Sequence, residues 1–307
     1  MRPLNDPLVA LDGKLEALRY LRSPVAQELH EWSIEQGNGY AAQGMSDSPA
    51  DRIASLNQAD TYWVSEDMCA VLTSAQETMP DDDVIIDAPP SPHGFLVFAT
   101  PIVVPIVEEF GRALHLNALQ WRPARRTLPA SKFQPVQVDD GTLMQWFTVP
   151  ADDRERAFCG PFSPVNTGSF LPTGTVLRST NDVRLGALSH TTVNLNRHAR
   201  ALWTLMQQPL AVLGDLDPTD KQTKTARRAH TDVRPTVVVT LRRARDGRPT
   251  GDAAAVQYSH RWVVRGHWRR QWYDSLGTHK PIWINEHIKG PDDAPLVVKE
   301  KVIAWRR

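Results

Sequence analysis

Hydrophobic positions in the first 80 residues recur at helical spacing and predict three helices. The first runs from Leu4 to Leu21, with leucines returning every three or four positions. Pro24 opens a second helix, which ends before the Gly37-Asn38-Gly39 cluster. Ser65 is a good N-cap for a third helix, because its side-chain oxygen can accept from a backbone N–H of the first turn. The two acidic residues after it suit the positive end of the helix dipole.

From about residue 84 the hydrophobic period changes to two, which predicts strands at 94–98, 114–121 and 142–149. Residues 150–190 are rich in Pro, Gly, Ser and Thr and predict loops with short strands. A helix is predicted from Val193 to Leu210, and the polar stretch from Asp215 to His230 is predicted to be a mobile linker.

Four β-patterned runs follow, at 236–243, 256–273, 281–289 and 296–305, with Gly/Asp/Pro turns between them. Consecutive strands with short connections pair antiparallel by default. The predicted fold class is therefore α+β: N-terminal helices, a first antiparallel meander, and then a helix packed on a C-terminal four-stranded antiparallel meander. The predicted domains are residues 1–190 and residues 191–307, and the second is expected to be the functional unit.

Composition places the chain among globular proteins, since 41% of its residues are hydrophobic and 23% are charged. No apolar run is long enough for a membrane span, and the N-terminus lacks the pattern of a signal peptide. Two distant cysteines, Cys69 and Cys159, argue against a disulfide framework. We therefore expect a cytoplasmic protein.

Charge is segregated along the chain although the formal net charge is zero. Residues 221–307 carry 19 Lys and Arg against 8 Asp and Glu, a balance of +11, so the rest of the chain carries −11. This pattern predicts either a polyanionic partner for the basic part or pairing between the two halves of the chain.

Alternation along the second C-terminal run sorts its side chains onto two faces. One face, expected to point to the core, carries His260, Trp262, Val264, Gly266 and Trp268. We expect the opposite face to gather basic and polar residues from all four strands: Arg242, Arg261, Arg265, His267, Arg269, Trp283, Asn285, His287, Lys289, Lys299 and Lys301.

Such a surface suits nucleic acid, because arginine and lysine neutralise phosphates and tryptophan stacks on bases. It also holds the groups for metal-free RNA cleavage, in which histidines move protons and cations stabilise the phosphate. The predicted catalytic residues are His267, His287, Arg265, Arg269 and Lys289. The predicted nucleic-acid-binding residues are Arg261, Arg242, Trp283, Asn285, Lys299 and Lys301.

The sequence lacks the motifs of other common catalytic and cofactor-binding sites. There is no phosphate-binding glycine loop, no nucleophile elbow and no His-Glu-x-x-His, so we expect no cofactor and no metal. Each singled-out residue also has a simpler interpretation. A histidine on a strand, such as His267 or His287, is more often structural than catalytic. A basic face is often only exposed to solvent or docked on an acidic partner.

The segment Arg265-Gly266-His267-Trp268-Arg269, then Trp283-Ile284, then His287-Ile288-Lys289-Gly290-Pro291 carries a resemblance. It is similar to a C-terminal signature of uncharacterised proteins from phages, plasmids and bacterial genomes, over roughly the last 50 residues. The resemblance implies a toxin or phage-conflict role and no mechanism. The order of a helix followed by four strands also resembles the barnase/colicin/RelE-type ribonuclease architecture.

Two functions follow as hypotheses. The first is a nucleic-acid-acting protein, an RNA-cleaving or translation-inhibiting endoribonuclease-like toxin, with RNA or another nucleic acid as partner and with a neutralising protein partner. The alternative is a non-catalytic nucleic-acid-binding or protein–protein interaction module. A third hypothesis is a scaffold in which the acidic and basic halves pair internally.

Overall fold

The computed structural model describes residues 2–35, 48–79, 89–104, 114–128, 137–150, 163–164, 169–172, 190–242, 261–275, 277–289, 291 and 295. The chain divides into two compact units, Met1–Arg242 and Arg243–Arg307. The helices of the first unit are α1 (Val9–Leu21), α2 (Pro24–Glu35), α3 (Pro49–Gln58), α4 (Glu66–Glu77), α5 (His190–Met206) and α6 (Asp220–Arg228).

The strands of the first unit form one mixed sheet. They are β1 (Asp60–Val64), β2 (Gly94–Val104), β3 (Leu114–Leu128), β4 (Gln137–Thr148), β5 (Ser163–Pro164), β6 (Ser169–Pro172), β7 (Ala211–Leu216) and β8 (Thr236–Leu241). Their spatial order is β5-β4-β3-β2-β1-β8-β7, and β6 also pairs with β4. β1 runs parallel to both β2 and β8, whereas the other pairs are antiparallel.

Both faces of the sheet are covered, because β2 and its neighbours carry apolar side chains in both directions. Phe95 and Val97 belong to a core cluster with Leu18 of α1 and Leu56 of α3. On the other face, Phe98 stacks on Trp146 with ring centroids 6.3 Å apart. There Trp121 meets Trp203 of α5 edge-on at 5.9 Å, so α5 packs on the face opposite α1 and α3.

Local signals explain where the helices start. Ser65 accepts a hydrogen bond from the backbone N–H of Met68, which confirms the predicted N-cap of α4. Ser48 and Asp51 form a capping box at α3, with proline at the first helical positions. Pro24 begins α2, as predicted.

The predicted mobile linker from Asp215 to His230 is wrong. It contains α6, whose Thr219–Gln222 capping box is intact. Gln222 is buried and donates to the backbone carbonyl of Leu8 and to Asp12 of α1. Ala226 packs with Leu11 and Leu15 of α1. The buried side chains of Gln222 and Ala226 therefore attach α6 to α1, although the rest of α6 is polar.

The predicted C-terminal meander also needs correction. Its first strand is β8, which pairs with β1 and β7 inside the large sheet. Helix α5, predicted to cover the meander, packs on that sheet too. The two compact units consequently divide at residue 242, whereas the predicted boundary lies at residue 190. The described residues of the second unit therefore do not have the helix followed by four strands on which the resemblance to barnase/colicin/RelE-type ribonucleases rested.

The second unit contains four short strands: β9 (Trp262–Val264), β10 (His267–Tyr273), β11 (Thr278–Ile284) and β12 (His287–Lys289). β10 pairs with β11 and β9 pairs with β12, in both cases antiparallel. The predicted fourth strand, residues 296–305, lies outside the described residues.

Candidate nucleic-acid interface

The four short strands of the second unit pair as two two-stranded sheets, here together called the C-terminal ribbon (residues 262–289). In one sheet Ile284 pairs with His267 and Tyr273 with Thr278, and in the other His287 pairs with Val264. Residues 265–266 and 285–286 lie in the gap between the two sheets in sequence and belong to neither strand pair.

Residues directly opposite each other in an antiparallel pair share a face. The register therefore defines an arginine face and a tryptophan face on the ribbon. In the sheet of β10 and β11 the arginine face carries His267, Arg269, Gln271, Tyr273, Lys280, Ile282 and Ile284, and Arg265 precedes it in the chain. The tryptophan face carries Trp268, Arg270, Trp272, His279, Pro281 and Trp283.

This register corrects the predicted grouping of the site residues. His267 and Arg269 share one face of β10, and Arg265 precedes that strand by two residues. Trp283 lies opposite Trp268, so it belongs to the other face of this sheet. His287 and Lys289 pair with β9 in the second sheet. Alternation within a strand defines two faces, but a shift of one residue between strands decides which faces combine.

The two histidines occupy equivalent positions, each directly after one side of the gap. Nδ1 of His267 lies 3.0 Å from the carbonyl oxygen of Arg265, and Nδ1 of His287 lies 3.0 Å from that of Asn285. A carbonyl oxygen only accepts, so Nδ1 carries the proton and Nε2 is the basic nitrogen in the neutral ring. The His267 side chain is exposed, whereas that of His287 is half-buried.

The arginine face presents its charge to solvent. Arg265, His267 and Arg269 are exposed and succeed one another about 7 Å apart on the strand. Arg269 Nη2 donates to Gln271 Oε1 at 2.8 Å, which orients its guanidinium along the face. Within the described part of the chain, no ion pair joins Arg265 or Arg269 to a carboxylate.

Trp283 does not offer the open stacking surface that we predicted. It is 6% exposed and meets Trp268 edge-on, with ring centroids 5.3 Å apart. Its ring also covers Gly266, where a Cβ atom would overlap Cζ2 of the indole. The glycine in the signature segment therefore makes room for Trp283, and the cross-strand tryptophan pair holds the ribbon together at the gap.

The remaining predicted binding residues are dispersed. The Arg261 side chain is half-buried and its backbone N–H donates to the carbonyl of Pro295. Arg242 is exposed at the end of β8, in the first compact unit. Asn285 has a buried Oδ1 without a hydrogen-bond partner, and Lys289 is exposed at the end of the ribbon. Lys299 and Lys301 lie outside the described residues.

Sequence reasoning missed the aromatic residues at the tip of the ribbon. Trp272 is 45% exposed and Tyr273 is 36% exposed, next to the turn that Gly277 closes with φ +58°. Nε1 of Trp272 donates to Asp274 at 2.6 Å, and its ring meets His279 edge-on at 4.9 Å. Their position beside a Gly-containing turn could have predicted their exposure, because a hairpin tip has little core to cover its aromatic side chains.

Two further observations concern chemistry elsewhere in the chain. Among the described residues, no three His, Cys, Asp or Glu side chains come close enough to hold a metal ion. Cys69 is buried as a free thiol, and burial raises its pKa to about 11, so it is a poor nucleophile. None of the helices in the described ranges is long and apolar enough to cross a membrane.

Comparison with known proteins identifies no family for this chain. No family model matches it, and no curated protein matches it. Among solved structures it is similar to a crystal structure of AcrVA2, with 13% sequence identity and a TM-score of 0.40, over 92% of this chain and 96% of that one. The case for a function therefore depends on the ribbon itself.

Proposed function

We propose that the chain binds single-stranded nucleic acid, with RNA as the expected ligand, through the arginine face of the C-terminal ribbon. The observation that supports this most strongly is the exposed row of Arg265, His267 and Arg269, which has no carboxylate partner among the described residues. Unpaired arginines on a strand attract phosphates, and each phosphate neutralised releases a bound counterion.

The charge of the ribbon as a whole supports the same ligand. Residues 261–289 contain six Lys and Arg against two Asp and Glu, a balance of +4, and three histidines. A polyanion approaching this segment meets a positive field along its full length, which speeds association and adds affinity at low salt.

The aromatic tip favours a single strand over a duplex. Tyr273 is exposed at the end of the basic row, and Trp272 is exposed next to it on the tryptophan face, where Asp274 and His279 hold it. Unpaired bases stack on such rings, worth about 1–3 kcal/mol per base. Bases inside a duplex are already stacked, so they cannot use these side chains.

Binding without turnover fits the geometry better than the cleavage that we predicted. A two-histidine mechanism needs both imidazoles at one phosphate, one as base and one as acid. His267 pairs with Ile284 in one sheet and His287 pairs with Val264 in the other, so the two histidines are not cross-strand neighbours. His267 instead lies exposed between Arg265 and Arg269 in the basic row.

The proposal is tested with a fluorescently labelled single-stranded RNA of about twelve nucleotides, measured by anisotropy at several salt concentrations. The variant is Arg265→Ala plus Arg269→Ala in the full chain. The matched control is Arg227→Ala plus Arg228→Ala, two exposed arginines of α6 in the other unit. Both variants lose the same charge, so a difference between them reports position.

We expect the ribbon variant to bind about tenfold or more weakly and the control to bind like the wild type. The slope of log affinity against log salt should fall by about 1.4, which is two phosphate contacts at about 0.7 each. Equal binding by a folded ribbon variant and the wild type would refute the proposal. A gel of the incubated RNA tests turnover: cleaved RNA that depends on His267 would restore the enzyme hypothesis.

A protein partner is the second candidate, because the arginine face also carries isoleucines. Ile288 is 55% exposed, and Ile282 and Ile284 are half-buried beside the arginines. An acidic partner with an apolar centre would match this mixture. No RNA or DNA binding by the wild type, together with a stable complex captured through the ribbon, would favour this candidate.

For the cellular setting we propose conflict between a phage or plasmid and its bacterial host. The resemblance of the signature segment supports it, and that segment forms most of the ribbon's two strands. Expression of the wild type in a bacterial host should alter growth or phage yield, and the Arg265→Ala plus Arg269→Ala variant should lose the effect. If the wild type and the variant gave the same phenotype, the effect on the host would not depend on the arginine face.

A further inference from the structure

A polar row lies along one side of α5, although this helix is buried almost all round. Between Leu195 and Met206 every side chain but that of Arg197 is buried. Asn196, Arg200 and Trp203 occupy positions i, i+4 and i+7, so they lie on the same helix face. Their exposed fractions are 4%, 5% and 1%.

Each member of this row has a buried polar atom without a hydrogen-bond partner. These atoms are Oδ1 of Asn196, Nε and Nη2 of Arg200, and Nε1 of Trp203. Buried polar groups in proteins are normally bonded, and an exception asks for an ion or a water. Nε and Nη2 of Arg200 are also the two nitrogens whose N–H bonds run parallel, which is the fork that binds two oxygens of one anion.

Nothing in the described part of the chain neutralises Arg200. Helix α5 contains no Asp or Glu, and none of the ion pairs involves this guanidinium. Burial, together with the positive charge of Arg197, lowers the pKa of Arg200 to about 10. A buried cation beside a like charge is unstable unless an anion joins it.

We propose that the face formed by Asn196, Arg200 and Trp203 binds a small hydrogen-bearing oxoanion, with hydrogen phosphate as its simplest example. Two of its oxygens accept from Nε and Nη2 of Arg200, and a third accepts from Nε1 of Trp203. Its hydroxyl group donates to Oδ1 of Asn196, so every partnerless atom of the row is used. This site belongs to the first compact unit and is separate from the C-terminal ribbon.

The probe is inorganic phosphate, titrated into the full chain at constant ionic strength and followed by calorimetry. We expect one phosphate per chain in the wild type and at least tenfold weaker binding in Arg200→Met. Arg200→Lys keeps the charge but loses the fork, so it should also weaken binding. Arg265→Ala plus Arg269→Ala should leave the binding unchanged, which separates this site from phosphate held on the ribbon.

Two results would overturn the proposal. One is the absence of phosphate binding by the wild type together with a higher melting temperature of Arg200→Met, as expected when an apolar side chain replaces an unpaired buried charge. The other is full phosphate binding by a folded Arg200→Met. If the variants do not fold, hydrogen exchange of the wild type decides, since phosphate must slow exchange of the α5 amides and unchanged rates refute the site.

Discussion

Lys14 lies in the core of the first unit, and its burial makes the stability of the protein depend on pH in a way that can be calculated. The side chain is 2% exposed, and its Nζ donates to the carbonyl of Ala59, the C-cap of α3. Burial lowers the pKa of Lys14 from 10.5 to about 8, a net value to which Arg234 also contributes and which Asp60 opposes.

The sign follows from the proton count in the two states. Below pH 8 the lysine is charged in both the folded and the unfolded chain, and the folded state carries the full cost of burying the charge. Between pH 8 and 10.5 the folded chain loses the proton first, so the free energy of unfolding rises with pH. A pKa difference of 2.5 corresponds to about 3 kcal/mol, at about 1.36 kcal/mol for each pKa unit.

Urea unfolding of the wild type and of Lys14→Met at pH 7.5, 9 and 10.5 measures this effect. The wild type should gain about 3 kcal/mol relative to Lys14→Met across that range. The raised pKa of Cys69 acts in the opposite direction near pH 10, but it is common to both proteins and cancels. Lys224→Met, an exposed lysine of α6, serves as the surface control. A wild-type-to-variant difference that stays constant or shrinks with pH would refute the reasoning.

Three further substitutions test the packing. Gly94→Ala should lower the free energy of unfolding by roughly 3 kcal/mol, because the new Cβ would overlap the buried ring of Trp121. Gly214→Ala is the control: no atom lies within 4 Å of its new Cβ, so the free energy of unfolding should change by under about 0.5 kcal/mol. Gly266→Ala should displace Trp283 and reduce the near-ultraviolet circular dichroism of the tryptophan pair without shifting the main urea transition. Gln222→Ala should lower the free energy of unfolding in urea by about 2 kcal/mol, since it removes a cap and two partly buried hydrogen bonds. An unchanged midpoint would contradict this.

Local chemistry explains what could be predicted from the sequence. Ser65 and Pro24 mark helix starts because capping and proline geometry act within one turn. The predicted strands at 94–98 and 114–121 fall within β2 and β3, and the one at 142–149 passes the end of β4 by one residue, because short runs of apolar residues between turn signals mark strands directly. By contrast α6 escaped prediction, because the buried Gln222 and Ala226 carry too little apolar area to be recognised without their partner helix α1.

The candidate site divides in the same way. The sequence determined that residues 261–289 are basic, aromatic and β-patterned, and it predicted that Arg265, His267 and Arg269 share one face, since both depend on composition and on the alternation of a single strand. Only the tertiary structure decided that β8 leaves this region for the large sheet, that Trp283 lies opposite Trp268 and not beside His267, and that Arg200 is buried with no counterion among the described residues. The physical reason is that strand partners and register arise from contacts between distant segments, and a shift of one residue reverses a face without changing the pattern of either strand.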